Sequence, residues 1–172
     1  MKFAYADPPY LGCCAKYEHF HGDGGCWDDL STHAALIERL GSEYPDGWVL
    51  SLHAPSLRDI LPLCPPDTRV AAWCKSWHQI RPKVPVQYSW EPVLFRSVAK
   101  DPQTPMVRDW IVLPATKQRG TIGAKPDPFT HWVLGLLGFA QGDTLDDLFV
   151  GSGGVARTVE RWSAQTQMGL VG

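Results

Sequence analysis

A chain of 172 residues, 44% apolar and 20% charged with a formal net charge of −2, has the length of one domain and the composition of a globular one. No apolar run reaches the length that crosses a bilayer, and the first residues pass straight into a strand-like stretch without a secretory leader, so a cytoplasmic setting is expected. Five cysteines, at positions 13, 14, 26, 64 and 74, form an odd set with two adjacent members, which does not match a secreted disulfide framework.

The elements expected in chain order alternate. Residues 2–7 read as a short strand stopped by Pro8-Pro9. Residues 11–29 are rich in Gly, Cys, His and Asp without periodicity, and read as a loop. Ser31 or Thr32 is the expected cap of a helix through Leu40, with Leu36, Ile37 and Leu40 on one face and Gly41 near its end. A buried strand at 48–53, a short helix at 55–61 and strands at 69–74, 86–95 and 107–113 follow. Residues 75–86 and 115–125 read as polar, basic loops. An apolar helix over 128–139 leads through a turn at Gly142-Asp143 to a strand at 145–150 and a helix over about 155–162. Strands alternating with helices predict a single α/β domain over 1–172.

Charge is laid out unevenly. Residues 1–68 hold four basic and ten acidic side chains, whereas 69–100 hold six basic ones (Arg69, Lys75, Arg81, Lys83, Arg96, Lys100) against Glu91 alone. Such a stretch can serve a polyanion without a basic average, or be a solvated face.

Two motifs carry chemistry. Near the C-terminus, Asp146-Asp147-Leu148-Phe149-Val150-Gly151-Ser152-Gly153-Gly154 is a hydrophobic strand ending in a glycine-rich turn that opens a helix. Glycines there admit close backbone approach, and the helix start offers unpaired N–H groups. It is neither a dinucleotide GxGxxG nor a P-loop. Near the N-terminus, Asp7-Pro8-Pro9-Tyr10 follows a strand directly; the prolines stiffen the turn and join an acid, rigid carbonyls and an aromatic ring at one strand end.

Together these motifs resemble the DNA amino-methyltransferases that act on adenine N6 or cytosine N4. The order, catalytic motif first and cofactor motif last, resembles the permuted beta-type arrangement, and the size that of small phage-type members. Gly123-Ala124-Lys125-Pro126 with Phe129 and Trp132 resembles the helix-opening segment before the cofactor strand, and Trp90-Glu91-Pro92-Val93-Leu94-Phe95 a strand of phage-type and RNA-adenosine-type relatives. The resemblance implies a Rossmann-like S-adenosylmethionine-dependent methyltransferase fold, circularly permuted, with about five to six strands. It implies methylation of the exocyclic amine of a flipped base, with Asp7 and the Pro8 carbonyl as acceptors, Pro9 holding the turn and Tyr10 stacking on the base. Asp at the first motif position favours adenine N6 over cytosine N4, with DNA the expected acceptor and RNA adenine methylation an alternative. For the cofactor it implies Asp7, Lys125, Phe129, Asp147, Phe149, Gly151, Ser152 and Gly153, with Asp147 preferred to Asp146 by its spacing to Phe149. Phe129 and Phe149 could equally be core.

Family members usually continue past the glycine turn with two further strand–helix units, the first ending in an acid that holds the cofactor ribose. Here 18 residues follow Gly154, with no acid after Glu160. The sheet is therefore expected to be truncated at one edge, covered by a second copy or a partner chain, and a catalytically weak or inactive subunit that binds nucleic acid is the alternative. Lys75, Trp77, Arg81 and Lys83 in one loop, and Lys117 and Arg119 in another, are candidate nucleic-acid contacts. Cys13, Cys14, His19, His21 and Cys26 have zinc-ligand chemistry but not zinc-site spacing, so no metal is expected; Tyr17, His19 and His21 are candidate DNA contacts.

Overall fold

The computed structural model of the protein describes residues 1–14, 27–77, 84–98, 106–114, 125–151 and 153–168. Six strands form one sheet: β1 (Lys2–Ala6), β2 (Gly47–Ser51), β3 (Arg69–Lys75), β4 (Trp90–Ser97), β5 (Trp110–Leu113) and β6 (Thr144–Asp147). Their order is β5-β3-β4-β2-β1-β6. β1 runs parallel to both β2 and β6, β3 parallel to β5, and β4 antiparallel to its neighbours β2 and β3. Two layers of helix cover the sheet: α1 (Leu30–Glu43) and the one-turn α2 (Leu57–Ile60) on one face, α3 (Asp127–Leu137) and α4 (Gly154–Met168) on the other.

Strand alternation divides the core. Phe3 and Tyr5 of β1 face α3 and α4, joining Val49, Trp73, Phe95, Phe129, Val133, Leu137 and Val155. Ala4 and Ala6 face α1, joining Leu36, Ile37, Leu40, Tyr44, Trp48, Leu50 and Ile60. The large side chains buried completely (Phe3, Trp48, Leu50, Phe129 and Leu137 among them) each contribute about 1.5–3 kcal/mol.

Helix ends follow local chemistry, with departures from the expected bounds. The cap of α1 is Asp29, whose carboxylate accepts the Ser31 N–H at 2.9 Å, rather than Ser31 or Thr32. Gly41 does not end α1: Tyr44, buried beneath the sheet, bonds its N–H to the Leu40 carbonyl and draws out another turn. α3 ends at Leu137, short of the expected 139, because Gly138 adopts φ +68° and Phe139 N–H reaches back to the Leu134 carbonyl at 2.9 Å. β4 begins at Trp90 rather than Val86. β6 ends at Asp147, because beyond it the chain enters the glycine turn. α4 extends to Met168, further than expected.

Among the described residues β6 is an edge strand, with β1 its neighbour, and β5 forms the other edge. No described helix is long and apolar enough to cross a membrane.

Candidate active site at the carboxyl ends of β1 and β6

The first and last strands lie side by side. Lys2 pairs with Thr144 and Tyr5 with Asp147, and the ladder continues with Leu148 N–H donating to the Tyr5 carbonyl at 3.0 Å. Asp7-Pro8-Pro9-Tyr10 and Leu148-Phe149-Val150-Gly151 therefore leave the sheet as neighbours. From β1 the chain crosses through α1 to β2 on one flank, while β6 occupies the other. This is a topological switch point, where open α/β sheets build their ligand crevices.

A buried charged network fills the Asp7 side. Lys125, entering α3 and 4% exposed, places its ammonium 2.9 and 3.0 Å from the two Asp7 oxygens. It also donates to the Tyr10 hydroxyl oxygen at 3.1 Å and lies 3.8 Å from Glu91. The Tyr10 hydroxyl has two possible acceptors, Asp7 Oδ1 and Glu91 Oε2, each at 3.2 Å. Glu91 also binds Lys75. The Tyr10 ring stacks on His53, centroids 5.4 Å apart and 13° from parallel. Two carboxylates and two ammonium groups thus balance where an unpaired charge would be costly.

Burial, and then the Glu91 charge, push the Asp7 carboxyl above the usual carboxylate range, against the pull of Lys125 and Tyr10. Burial also acts on Glu91, but Lys125 and Lys75 outweigh it and hold that carboxyl below its ordinary value. Burial would deprotonate Lys125, yet Asp7 and Glu91 more than offset it, so the ammonium keeps its proton beyond the normal lysine range.

On the β6 side, Asp147 shares a sheet face with Tyr5, and its carboxylate accepts the Phe149 N–H at 3.3 Å. Burial, with a smaller contribution from Asp7, raises its pKa against that hydrogen bond. Asp146 points the other way, accepting from the Tyr44 hydroxyl at 2.8 Å and pairing with Lys2 at 3.1 Å. Phe149 packs against the edge of Trp27, centroids 5.1 Å apart. Gly151 and Gly153 take φ of +46° and +69°, and Gly153 opens α4 by accepting the Arg157 N–H at 3.2 Å.

Of the residues expected at the site, Asp7, Pro8, Pro9, Tyr10, Lys125, Asp147, Phe149, Gly151 and Gly153 come from these adjoining segments. Phe129 is completely buried between Tyr5, Trp73 and Trp132, and offers no surface to a ligand; its ring lies 5.9 Å from the Lys125 ammonium. Lys75 ends β3 and is drawn into the ion pair with Glu91, not held out from an open loop. Trp77 is 52% exposed. Ser152, Arg81, Lys83, Lys117, Arg119, Tyr17, His19, His21 and Cys26 lie outside the described residues. Cys13, Cys14, Cys64 and Cys74 are not disulfide-bonded, and no group of three or more metal-ligating side chains occurs among the described residues. The reading missed Glu91 and His53 as members of this cluster. The signal for Glu91 was its standing as the lone acid in a basic stretch; His53 carried none.

A mixed sheet between helical layers, parallel through β2, β1 and β6, with a glycine corner beside the acidic turn, is a Rossmann-like α/β fold. Among solved structures, the crystal structure of the M1.HpyAVI–SAM complex is similar to this chain, with a TM-score of 0.61 over 93% of this chain and 78% of that one, at 15% identity. That likeness is one of fold. No family model and no curated protein matches the sequence.

Proposed function

We propose that this chain is an S-adenosylmethionine-dependent methyltransferase that methylates the exocyclic amine of a flipped base, adenine N6 in DNA. The observation that carries the reading is the juxtaposition of the Asp7 turn with the glycine corner across the β1–β6 ladder.

The half-buried Asp147 suits the ammonium of the cofactor's methionine part. The positive-φ glycines leave an open backbone approach, and Phe149 suits its adenosine. When bound, the cofactor supplies an electrophilic methyl group. The chain's own residues do the rest. An exocyclic amine is a poor nucleophile because its lone pair is delocalised into the ring. Asp7 accepts one amine hydrogen and the Pro8 carbonyl the other, turning that lone pair toward the methyl. Pro9 fixes the turn, and Tyr10, backed by His53, is the platform for a base out of its helix. Lys125 keeps negative charge on Asp7 in spite of burial. Glycine-corner residues first in the family's order stand last here, the permuted arrangement.

One observation favours a second reading, a nucleic-acid-binding subunit that does not turn over: both Asp7 oxygens already hold Lys125. Transfer of a labelled methyl group to DNA, with Asp7→Ala as control, separates the two. The enzyme reading expects incorporation that falls about 100-fold or more in the variant. Calorimetry showing no cofactor binding, or activity surviving in Asp7→Ala, would overturn it.

A further inference from the structure

We infer that Glu91 is a positioning residue for Tyr10: from the start of β4 it accepts the phenol proton and so fixes the ring flat on His53. The inference rests on the methyl-transfer reading above, in which Tyr10 is the platform for the target base.

A phenol has one proton to give, and two carboxylates lie at equal distance from it, 3.2 Å each. The arrangement of Lys125 decides between them. Its ammonium serves both oxygens of Asp7 at 2.9 and 3.0 Å and also donates to the Tyr10 oxygen at 3.1 Å. Asp7 is therefore already supplied with donors, and the Tyr10 oxygen already has one bond to accept. Glu91 lies further from Lys125, at 3.8 Å, so its Oε2 is the better acceptor for the phenol proton. Glu91 is itself fixed. It is 17% exposed, sits opposite Trp73 in the β3–β4 ladder, and is tied by its other oxygen to Lys75. A ring held at one end by a sheet-anchored carboxylate and across its face by His53 loses the freedom that a lone tyrosine on a turn would keep. That immobilisation is complete before any base arrives.

The test is a cycle of Glu91→Ala, Glu91→Gln and Tyr10→Phe, read as kcat/KM for methyl transfer to DNA, with cofactor affinity measured alongside. Glu91→Ala is expected to lower kcat/KM about tenfold, as loss of a hydrogen bond to a charged group would. Glu91→Gln should lose less than about threefold, because its amide oxygen still accepts the phenol. In the Tyr10→Phe background the cost of Glu91→Ala should shrink to less than about threefold, since the shared bond is already gone. Cofactor affinity should stay within about twofold throughout, as no cofactor-facing group is touched. A purely structural role, feeding charge to Lys75 and Lys125, predicts the same Glu91→Ala loss in both backgrounds. That result, or equal losses for Gln and Ala, overturns the inference. Should the unmodified protein transfer no methyl group, the functional reading fails on its own. The cycle is then read from urea unfolding, where additive effects of the Tyr10 and Glu91 changes overturn the inference and a non-additive pair supports it.

Discussion

Tyr5 and Asp147 stand opposite one another in the parallel ladder of β1 and β6, on the same face of the sheet. Tyr5 is buried, with its hydroxyl on Ser51 at 2.9 Å, so the pair sets the depth from which both functional turns emerge. Two residues beyond Tyr5 is Asp7, and two beyond Asp147 is Phe149.

The acid limb of the activity profile should lie above the ordinary aspartate range, about pH 4. Burial raises the Asp7 pKa; in the proposed mechanism the ionised form accepts an amine hydrogen, so activity is lost while pH is still falling through that raised value. Lys125→Met removes the strongest opposing charge. The limb should then move to higher pH, together with a fall in maximal rate. A kcat/KM profile against pH for both proteins checks this, and an unmoved limb in Lys125→Met contradicts it.

Gly153→Ala should weaken cofactor binding about tenfold and lower stability by only about 1–2 kcal/mol. Its φ of +69° disfavours a side chain by about 1–2 kcal/mol, and the new Cβ would sit 3.0 Å from the Arg157 guanidinium, which can swing away. Calorimetry and thermal unfolding on the same sample separate the two effects.

Gly47→Ala should do the opposite, leaving the site chemistry alone and damaging the fold. At φ +151° its Cβ would meet the Arg96 carbonyl oxygen at 2.6 Å and the Phe3 ring at 3.2 Å, both fixed within the sheet. A loss of about 2–4 kcal/mol in urea unfolding is expected.

Tyr44→Phe tests the opposite face of β6. The Tyr44 hydroxyl, with Lys2, holds the Asp146 carboxyl below the usual range. A group with a depressed folded pKa adds stability above its ordinary value, and that stability is lost as pH falls through the folded one. With Asp146 43% exposed, the effect is discounted to under about 1 kcal/mol. The difference between the two proteins should be present at pH 7 and vanish near pH 2 in urea unfolding.

What could be read from the sequence was whatever is encoded locally. The strand ahead of Asp7 and the one ahead of the glycine turn announce themselves by apolar runs broken by residues that cannot continue a sheet. Their adjacency came from motif resemblance and not from periodicity, since pairing across 142 positions, as between Met1 and Asp143, leaves no local trace. Phe129 shows the limit: an apolar residue near a motif reads alike as pocket wall or core, and only its neighbours Tyr5, Trp73 and Trp132 decide for core. Glu91 was hidden for a related reason. Its partners Tyr10, Lys75 and Lys125 come from three other segments, so its charge reads as a surface acid until β4 is set between β2 and β3. Asp29 displaced Ser31 and Thr32 as cap because all three, within four positions, carry side chains that can cap a helix.

Because β6 docks onto a strand made about 140 residues earlier, the emerging polypeptide holds half a crevice until β6 is made. Phe3 and Tyr5 must remain without their final sheet partner until Thr144 to Asp147 have left the ribosome. Contacts of such long sequence separation form slowly and leave an open strand edge in the interim. The crevice would therefore be completed abruptly, when β6 docks, and not by degrees as the sheet grows.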